Sequence, residues 1–246
     1  MTSRRPIRRV PRLRDLRIPT LPTEIPVFPL GGALLLPRGR LPLNLFEPRY
    51  LTLLEDVLAG DRLFGMIQPS DAAAAEADED EPATRRSRQI IDDTPPALFG
   101  VGCLGRLVSF NEREDGTASI VLAGIARFRL RAEFDGGQPY RRLAVSYAGF
   151  EHDLDEVGEV AFDREPLLAA LRVYFTHRGF DARWEAIEQM DDETLLTTLS
   201  MICPFPPAEK QALLEAPDLS ARASTLQALL EMAGHENEEG GRPHAV

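Results

Sequence analysis

Proline and glycine interrupt the apolar runs near the start of the chain and restrict what those runs can form. The runs cover residues 25–28, 33–36 and 41–46, and Pro29 and Pro37 stand between them. Proline has no backbone N–H to donate to a neighbouring strand, so within sheets it is confined to edges and bends. We therefore predict three short strands that lie at sheet edges or bend at their prolines.

A helix is predicted directly after these strands. Apolar side chains recur at helical spacing along one face, at Tyr50, Leu53, Leu54, Val57 and Leu58. Pro48 suits the first turn of such a helix, and Gly60 suits its C-terminal cap. The chain is therefore expected to pass from the last strand into a helix within a few residues.

The clearest pair of strands is a hairpin between residues 98–110 and 117–130. Its turn ends in Asp115-Gly116, a pair that favours a tight reversal with positive φ. Further strands are predicted at residues 63–68 and 140–147.

The second hairpin strand has two different faces. Apolar residues alternate along one face, and Arg127, Arg129 and Arg131 lie on the other. We expect this arginine row to be a solvent-facing strand surface, with a role in protein contacts as the alternative. Gly124 is expected to mark a bulge or bend between a strand region buried on both faces and one buried on a single face.

The second half of the chain has the pattern of helices, from a boundary near Glu151. Pro166 is expected to split or kink the first of them. The predicted helices cover residues 156–177, 191–202, 207–215 and 219–233. A β-rich half followed by a helical half predicts an α+β protein.

Three segments are predicted to be disordered, at residues 1–22, 71–96 and 234–246, because dense charge and low hydrophobicity cannot offset the entropy cost of ordering. Residues 1–20 carry seven arginines and one acid, a charge of +6 that leaves −17 for the remainder of the chain. An acidic body repels phosphates, so nucleic-acid binding is expected to be unlikely except through this N-terminal tail. The insert at residues 71–96 is acidic and is expected to be flexible.

Missing motifs exclude several chemistries. Lys210 is the only lysine, and it lacks the Gly-x-x-x-x-Gly-Lys-Ser/Thr loop that holds nucleotide phosphates. The chain has no Gly-x-Ser-x-Gly or His-Glu-x-x-His motif, and Cys103 and Cys203 have no metal-ligand spacing. We therefore predict no catalytic residue, no metal and no cofactor. Cys103 is expected to be a small buried side chain of its strand.

No stretch approaches 18 uninterrupted apolar residues, and the first residues lack the apolar core of a secretory signal. We therefore expect no membrane contact and a cytoplasmic location.

Six blocks of sequence carry a likeness to a known family. In chain order they are Pro26-Val-Phe-Pro-Leu30, Leu41-Pro-Leu-Asn-Leu-Phe-Glu-Pro-Arg-Tyr50, Gly102-Cys-Leu-Gly-Arg106, Asp115-Gly116, Leu122-Ala-Gly-Ile-Ala-Arg-Phe-Arg129 and Pro206-Pro-Ala-Glu-Lys-Gln-Ala-Leu-Leu-Glu215. In this order and spacing they resemble the Lon protease N-terminal (substrate-binding) domain over about residues 24–233. The likeness implies a PUA-like β pseudobarrel with one helix, followed by a C-terminal α-helical bundle. The corresponding subdomains are residues 23–150 and 151–233.

In full-length Lon this domain precedes an ATPase and a Ser–Lys protease, and both need lysine. With Lys210 alone, the chain is expected to be a stand-alone, non-catalytic member of the family. By resemblance it would bind peptide or unfolded-protein segments, as an adaptor or quality-control factor. The alternatives are a small-molecule-binding PUA-like module and an RNA-binding protein that uses the Arg-rich tail.

The candidate polypeptide-binding surface is an apolar groove with a polar rim at the start of the predicted helix. Glu47 and Arg49 form the rim, although stabilisation of the helix start is the simpler role for both. The full candidate set is Phe28, Leu45, Phe46, Glu47, Arg49, Tyr50, Arg127 and Arg129. We make no prediction of the oligomeric state from the sequence.

Overall fold

The computed structural model of the chain describes residues 15–70, 96–134, 136–155 and 160–240. These residues form two compact units. The β-rich unit contains the described residues up to Gly31 and those from Leu35 to Asp155, and the helical unit contains Gly32–Leu34 and the described residues from 160 onward. Residues 1–14, 71–95 and 241–246, where most of the disorder was predicted, lie outside the described part.

The β-rich unit is a six-stranded sheet with one α-helix. Its elements are β1 (Glu24–Pro29), β2 (Arg40–Leu45), α1 (Pro48–Ala59), β3 (Leu63–Ile67), β4 (Val101–Glu112), β5 (Ala118–Phe134) and β6 (Arg142–Ser146). The strand order is β2-β5-β4-β3-β1-β6, and β5 also pairs with β6. Five strands are therefore bonded in a closed circuit, and β2 adds a sixth strand to the first part of β5. All pairs are antiparallel except β1 with β3.

The interior of the β-rich unit contains residues from before the first strand. Leu16 and Leu21 are buried in the same core cluster as Ile25 and Phe128, with a short 3-10 turn at Ile18–Thr20 between them. The prediction that disorder extends to residue 22 is therefore wrong for residues 15–22. Burial of these leucines offsets the entropy cost of ordering the short segment that carries them.

Strand β1 lies inside the sheet even though it contains two prolines. Its first half pairs with β6 and its second half pairs with β3. Val27 donates its N–H to Arg141 O, on the β6 side, at 2.9 Å. Successive nitrogens along a strand point to opposite sides, so the nitrogen of Pro26 points to the β3 side. At Pro26, β1 does not yet pair with β3. Leu30 donates its N–H to Ile67 O, on the β3 side, at 3.1 Å. The nitrogen of Pro29 therefore points to the β6 side, where β1 and β6 no longer pair. Neither proline removes a ladder hydrogen bond.

Strand β2 is the end strand in the sheet order, as its proline predicted. Gly124 on β5 donates its N–H to Gly39 O at 2.9 Å, so the backbone polar groups of Gly39 and of every second residue after it face β5. The nitrogen of Pro42 therefore points away from β5, toward the free edge. Proline at that position blunts the edge against pairing with another chain.

The predicted strand at residues 33–36 is wrong, because these residues form a buried loop without ladder pairing. This loop passes over β5 at Gly124. Arg38 donates its N–H to Gly124 O at 3.0 Å, and an ideal Cβ on Gly124 would lie 1.9 Å from Leu36 O. The predicted irregularity at Gly124 is thus a close approach of two backbones, which only glycine permits.

The described residues of the helical unit form five helices. They are α2 (Arg164–Arg178), α3 (Trp184–Glu188), α4 (Asp192–Ile202), α5 (Pro207–Glu215) and α6 (Leu219–Gly240). Helix α2 starts later than predicted, because the Asp163 side chain caps it at Glu165 N and leaves Pro166 in the first turn. The short α3 was not predicted, and α6 continues to Gly240, past the predicted end at residue 233. No helix in the described part of the chain has the length and apolar character needed to cross a bilayer.

Lys210 on α5 is buried inside the helical unit. Its ammonium group donates to Gly32 O at 2.6 Å and to Met201 O at 3.2 Å. Burial lowers the pKa of this amine below its ordinary value. Lys210 therefore holds the Gly32–Leu34 segment in the helical unit and binds the last turn of α4.

Substitution of Gly124 by alanine tests the close approach of the loop to β5. We expect Gly124→Ala to lower the free energy of unfolding by about 3 kcal/mol, because a backbone carbonyl must move to admit the methyl group. Urea denaturation measures this loss. Gly31→Ala is the matched control, since no atom lies within 4 Å of a Cβ there. Equal stability of the two variants would contradict the close approach.

Candidate functional site

Phe46 is the most exposed large apolar side chain of the β-rich unit, with 69% of its surface accessible. It stands between the last residue of β2 and the first turn of α1. Leu45 before it is buried, and Tyr50 after it is buried as well. Leu45 and Tyr50 are therefore part of the core, whereas Phe46 is left in water beside the partly exposed Glu47 and Arg49.

The ring of Tyr50 forms part of a packed aromatic layer beneath this surface. Its centroid lies 4.1 Å from that of Phe28, and the Arg49 guanidinium lies 4.7 Å from it on the outer side. Arg49 also pairs with Glu47 at 2.6 Å, and both of these charged side chains are partly exposed. Burial raises the pKa of the Tyr50 hydroxyl. The cation–π contact and the ion pair hold the polar rim in place.

The structure brings together six of the eight predicted residues, but it divides them into a core and a surface. Phe28, Leu45 and Tyr50 are buried, so they support the site and are not open to a ligand. The predicted groove is therefore wrong: an exposed Phe46 with a charged rim of Glu47 and Arg49 replaces it.

The other two predicted residues do not belong to this surface. Arg127 is only 5% exposed, and its guanidinium binds both carboxylate oxygens of Asp153, with the shortest contact at 2.8 Å. Asp153 also accepts the backbone N–H of Arg127 at 2.7 Å. The prediction of a solvent-facing arginine row is therefore wrong for Arg127. Arg129 is exposed, and its guanidinium lies 5.0 Å from the ring of Phe150.

Two exposed apolar side chains at the same end of the sheet were not predicted. In the ladder, Leu43 pairs with Ile120, and Ile120 pairs with Phe110, so the three residues form one apolar row across β2, β5 and β4. Ile120 is buried, whereas Phe110 at the end of the row is 44% exposed, and Val108 is exposed nearby on the same strand. In the sequence, the signal for these two exposed side chains was that Val108 and Phe110 lie two residues apart just before a charged turn.

The opposite face of this part of the sheet is polar. Asn44 Oδ1 accepts hydrogen bonds from the Ser119 hydroxyl at 2.9 Å and from Arg113 at 3.1 Å. The three-stranded part of the sheet thus has one apolar face and one polar face. We call Phe46, Glu47 and Arg49 the Phe46 surface.

A cavity of about 230 Å³ lies elsewhere in the β-rich unit, between the start of β1 and the end of α1. Glu24, Asp56 and Arg142 are among its lining residues. The Tyr140 hydroxyl donates to Asp56 at 2.6 Å, and burial together with that carboxylate raises the pKa of Tyr140 to about 12. The tyrosine therefore stays protonated at neutral pH. Among the described residues, no group of three or more His, Cys, Asp or Glu could hold a metal ion.

Neither thiol is placed for nucleophilic chemistry. Cys103 is buried in β4, as predicted, and Cys203 is buried at the end of α4. Desolvation raises the pKa of the Cys203 thiol to about 12. A buried thiol with a raised pKa is protonated at neutral pH and reacts slowly.

Removal of the Arg127 partner tests the buried pair. We expect Asp153→Ala to cost about 3 kcal/mol of stability, because it leaves a buried guanidinium without its carboxylate. Thermal and urea denaturation measure the loss. Glu133→Ala, which removes the partner of the more exposed Arg141, is the control and is expected to cost roughly 1 kcal/mol or less. A small effect at Asp153 would show that Arg127 reaches water.

Thiol titration tests the burial of both cysteines. Ellman's reagent at pH 8 is expected to find no rapidly reacting thiol in the folded protein and both cysteines in urea. At that pH, a pKa of about 12 leaves roughly one Cys203 in ten thousand as thiolate. Reaction of a thiol within seconds in the folded state would contradict this placement.

Comparisons with known proteins match most of the chain to one family. The model of the ATP-dependent protease La (LON) substrate-binding domain matches residues 24–232. Lon protease 2 of Sorangium cellulosum is 30% identical over 123 residues, which are 50% of this chain and 13% of that protein. Lon protease 2 of Myxococcus xanthus is 25% identical over 212 residues, which are 85% of this chain and 24% of that protein. The chain thus spans a quarter or less of the length of these relatives.

Solved structures show the same fold. The Lon N-terminal domain protein from Xanthomonas campestris superposes with a TM-score of 0.53 at 23% identity, over 84% of this chain and 98% of that one. The N-terminal domain of Lon protease from the Mycobacterium avium complex gives a TM-score of 0.51 at 15% identity, over 84% of this chain and 97% of that one. With a family model that matches residues 24–232 and this α+β architecture, the chain belongs to the Lon substrate-binding domain family.

Proposed function

We propose that this chain binds extended or unfolded polypeptide segments and that the Phe46 surface is where they bind. The observation that carries the proposal is the 69% exposure of Phe46 beside two buried neighbours. Burial of a phenyl ring contributes about 2 kcal/mol of favourable free energy. Folding does not use this contribution at Phe46, so it remains available to a binding partner that covers the ring. The family membership supports a substrate-binding role.

The composition of the surface fits an extended partner with little sequence preference. Phe46 offers one large apolar contact with most of its surface in water. Side chains of an extended segment alternate between two faces, so an apolar side chain of the segment can pack on Phe46 while its neighbours stay in water. Glu47 and Arg49 offer both signs of charge beside Phe46 and can orient the bound segment.

The closed circuit of strand pairing supports a PUA-like pseudobarrel for the β-rich unit. The bond between β5 and β6 joins the two ends of a five-stranded ribbon. In this architecture the sheet forms a rigid support, and binding side chains project from the connections between strands and helix. The predicted subdomains at residues 23–150 and 151–233 belong to the same proposal.

The proposed role is non-catalytic. Lys210 is the only lysine, and its amine is buried and bonded to two carbonyl oxygens, so it is not available as the base of a Ser–Lys dyad. The matched proteins are proteases, but the chain corresponds to only part of their length. We propose a cytoplasmic adaptor or quality-control factor that binds clients and leaves their cleavage to another protein.

The proposal is tested with a permanently unfolded client. We expect fluorescently labelled, reduced and carboxymethylated α-lactalbumin to bind the wild-type protein, and Phe46→Ser to weaken binding about fivefold or more, as measured by anisotropy. Phe134→Ser is the matched control, because Phe134 is an exposed phenylalanine at the far end of β5. Unchanged affinity of the Phe46 variant would refute this surface.

Two other functions have separate tests. A small-molecule ligand would use the 230 Å³ cavity at Tyr140, and a metabolite that raises the melting temperature of the wild type but not of Tyr140→Phe would favour it. RNA binding would rest on the Arg-rich tail, and it would have to vanish at high salt and on deletion of residues 1–20.

A further inference from the structure

A second and more apolar cavity lies within the helical unit. Its volume is about 510 Å³, and it opens where α2 and α4 end. Its lining includes Phe175, Phe180, Asp181, Ile202, Cys203 and Pro204. Neither the predicted set of site residues nor the Phe46 surface includes any of them.

The floor of the cavity is fixed and its walls are exposed. Phe175 is buried, and its ring meets Phe180 edge to face at 5.7 Å and Trp184 at 5.8 Å. Phe180 and Ile202 form the walls, and they are 43% and 60% exposed. Packed aromatic rings keep the cavity open without a ligand, so a bound side chain would not have to reorganise it.

The mouth of the cavity offers acceptors and negative charge. Helix α2 ends at Gly179, whose φ of 66° turns the chain, and α4 ends at Ile202 before Pro204. The C-terminal end of α2 carries partial negative charge, whereas the last turn of α4 is bonded at Met201 O by the Lys210 ammonium. Asp181 stands at the mouth, and within residues 160–234 its carboxylate makes no hydrogen bond or ion pair. The nearby guanidinium of Arg178 lies over the ring of Tyr174 instead.

We propose that this cavity anchors one bulky apolar side chain of a bound polypeptide and that an arginine or lysine next to that side chain pairs with Asp181. The apolar floor and walls select the anchor, and the acceptors at the mouth select the charge. Because two of the walls remain largely exposed, the cavity suits a side chain whose backbone stays in water better than a fully enclosed small molecule. The inference rests on the proposed function, since its occupant is a polypeptide, but it adds a site in a different unit and a preference for basic neighbours.

The experiment uses the full chain and three labelled peptides of equal length in a Gly/Ser background. The first has one photo-leucine flanked by arginines, the second has photo-leucine flanked by glutamates, and the third has serine flanked by arginines. We expect the first peptide to bind at least about fivefold more tightly than either of the others. Its photo-crosslinks are expected at residues 175–181 and 202–204.

Variants separate the anchor from the charge. Ile202→Ser is expected to weaken the first peptide about tenfold, and Asp181→Lys is expected to remove its advantage over the glutamate peptide. Val173→Ser is the matched control, because Val173 is an exposed apolar residue of α2 outside the cavity, and it is expected to change nothing.

The outcomes distinguish this inference from the proposed function. Binding that depends on Phe46 but is unaffected by Ile202→Ser and Asp181→Lys would overturn the cavity site and leave the proposed function intact. Binding that depends on the cavity but not on Phe46 would support the inference and overturn the Phe46 surface. Absence of binding by all three peptides and by unfolded α-lactalbumin would overturn both.

Discussion

Strand β5 is hydrogen-bonded to three other strands, and the closure of the sheet depends on it. Residues 118–123 of β5 pair with β2, residues 118–129 pair with β4, and residues 129–134 pair with β6. β2 and β6 pair one after the other along the same side of β5, and β4 pairs along the other side. The register shift between Leu104 and Gly105 lies where β2 no longer pairs with β5 and β6 does not yet pair with it, and it lets the strand pair bend there. Gly124 admits the loop that leads into β2 at the same region of β5.

The parts of this fold that the sequence predicted are those with a local period. Helices α1 and α5 and the hairpin of β4 and β5 follow from apolar spacing and a single turn, and the structure has them within a few residues. The loop at residues 33–36 has the composition of a strand but lies across β5 without ladder partners. The burial of Leu16 is another case of this kind, because contacts distant in sequence order a segment that appears too charged to fold.

The candidate site shows the same limit. Alternation along β5 correctly separated two faces, but it could not show that the second face is covered. The short helical turn at Glu151–Leu154 brings Asp153 onto Arg127, and that contact spans 26 positions in the chain. Phe46 was within reach of prediction, because it is the apolar residue left between two buried ones at a strand–helix junction. The exposure of Phe110 could not be predicted, because it depends on which part of the sheet is left uncovered by other elements of the fold.

The position of Lys210 affects how the folded protein can be modified. It is the only lysine of the chain, and its amine is inside the helical unit with two carbonyl acceptors. Reagents and enzymes that attach groups to lysine, including amine-directed crosslinkers and ligases that mark proteins for degradation, therefore find no accessible lysine target while the helical unit is folded.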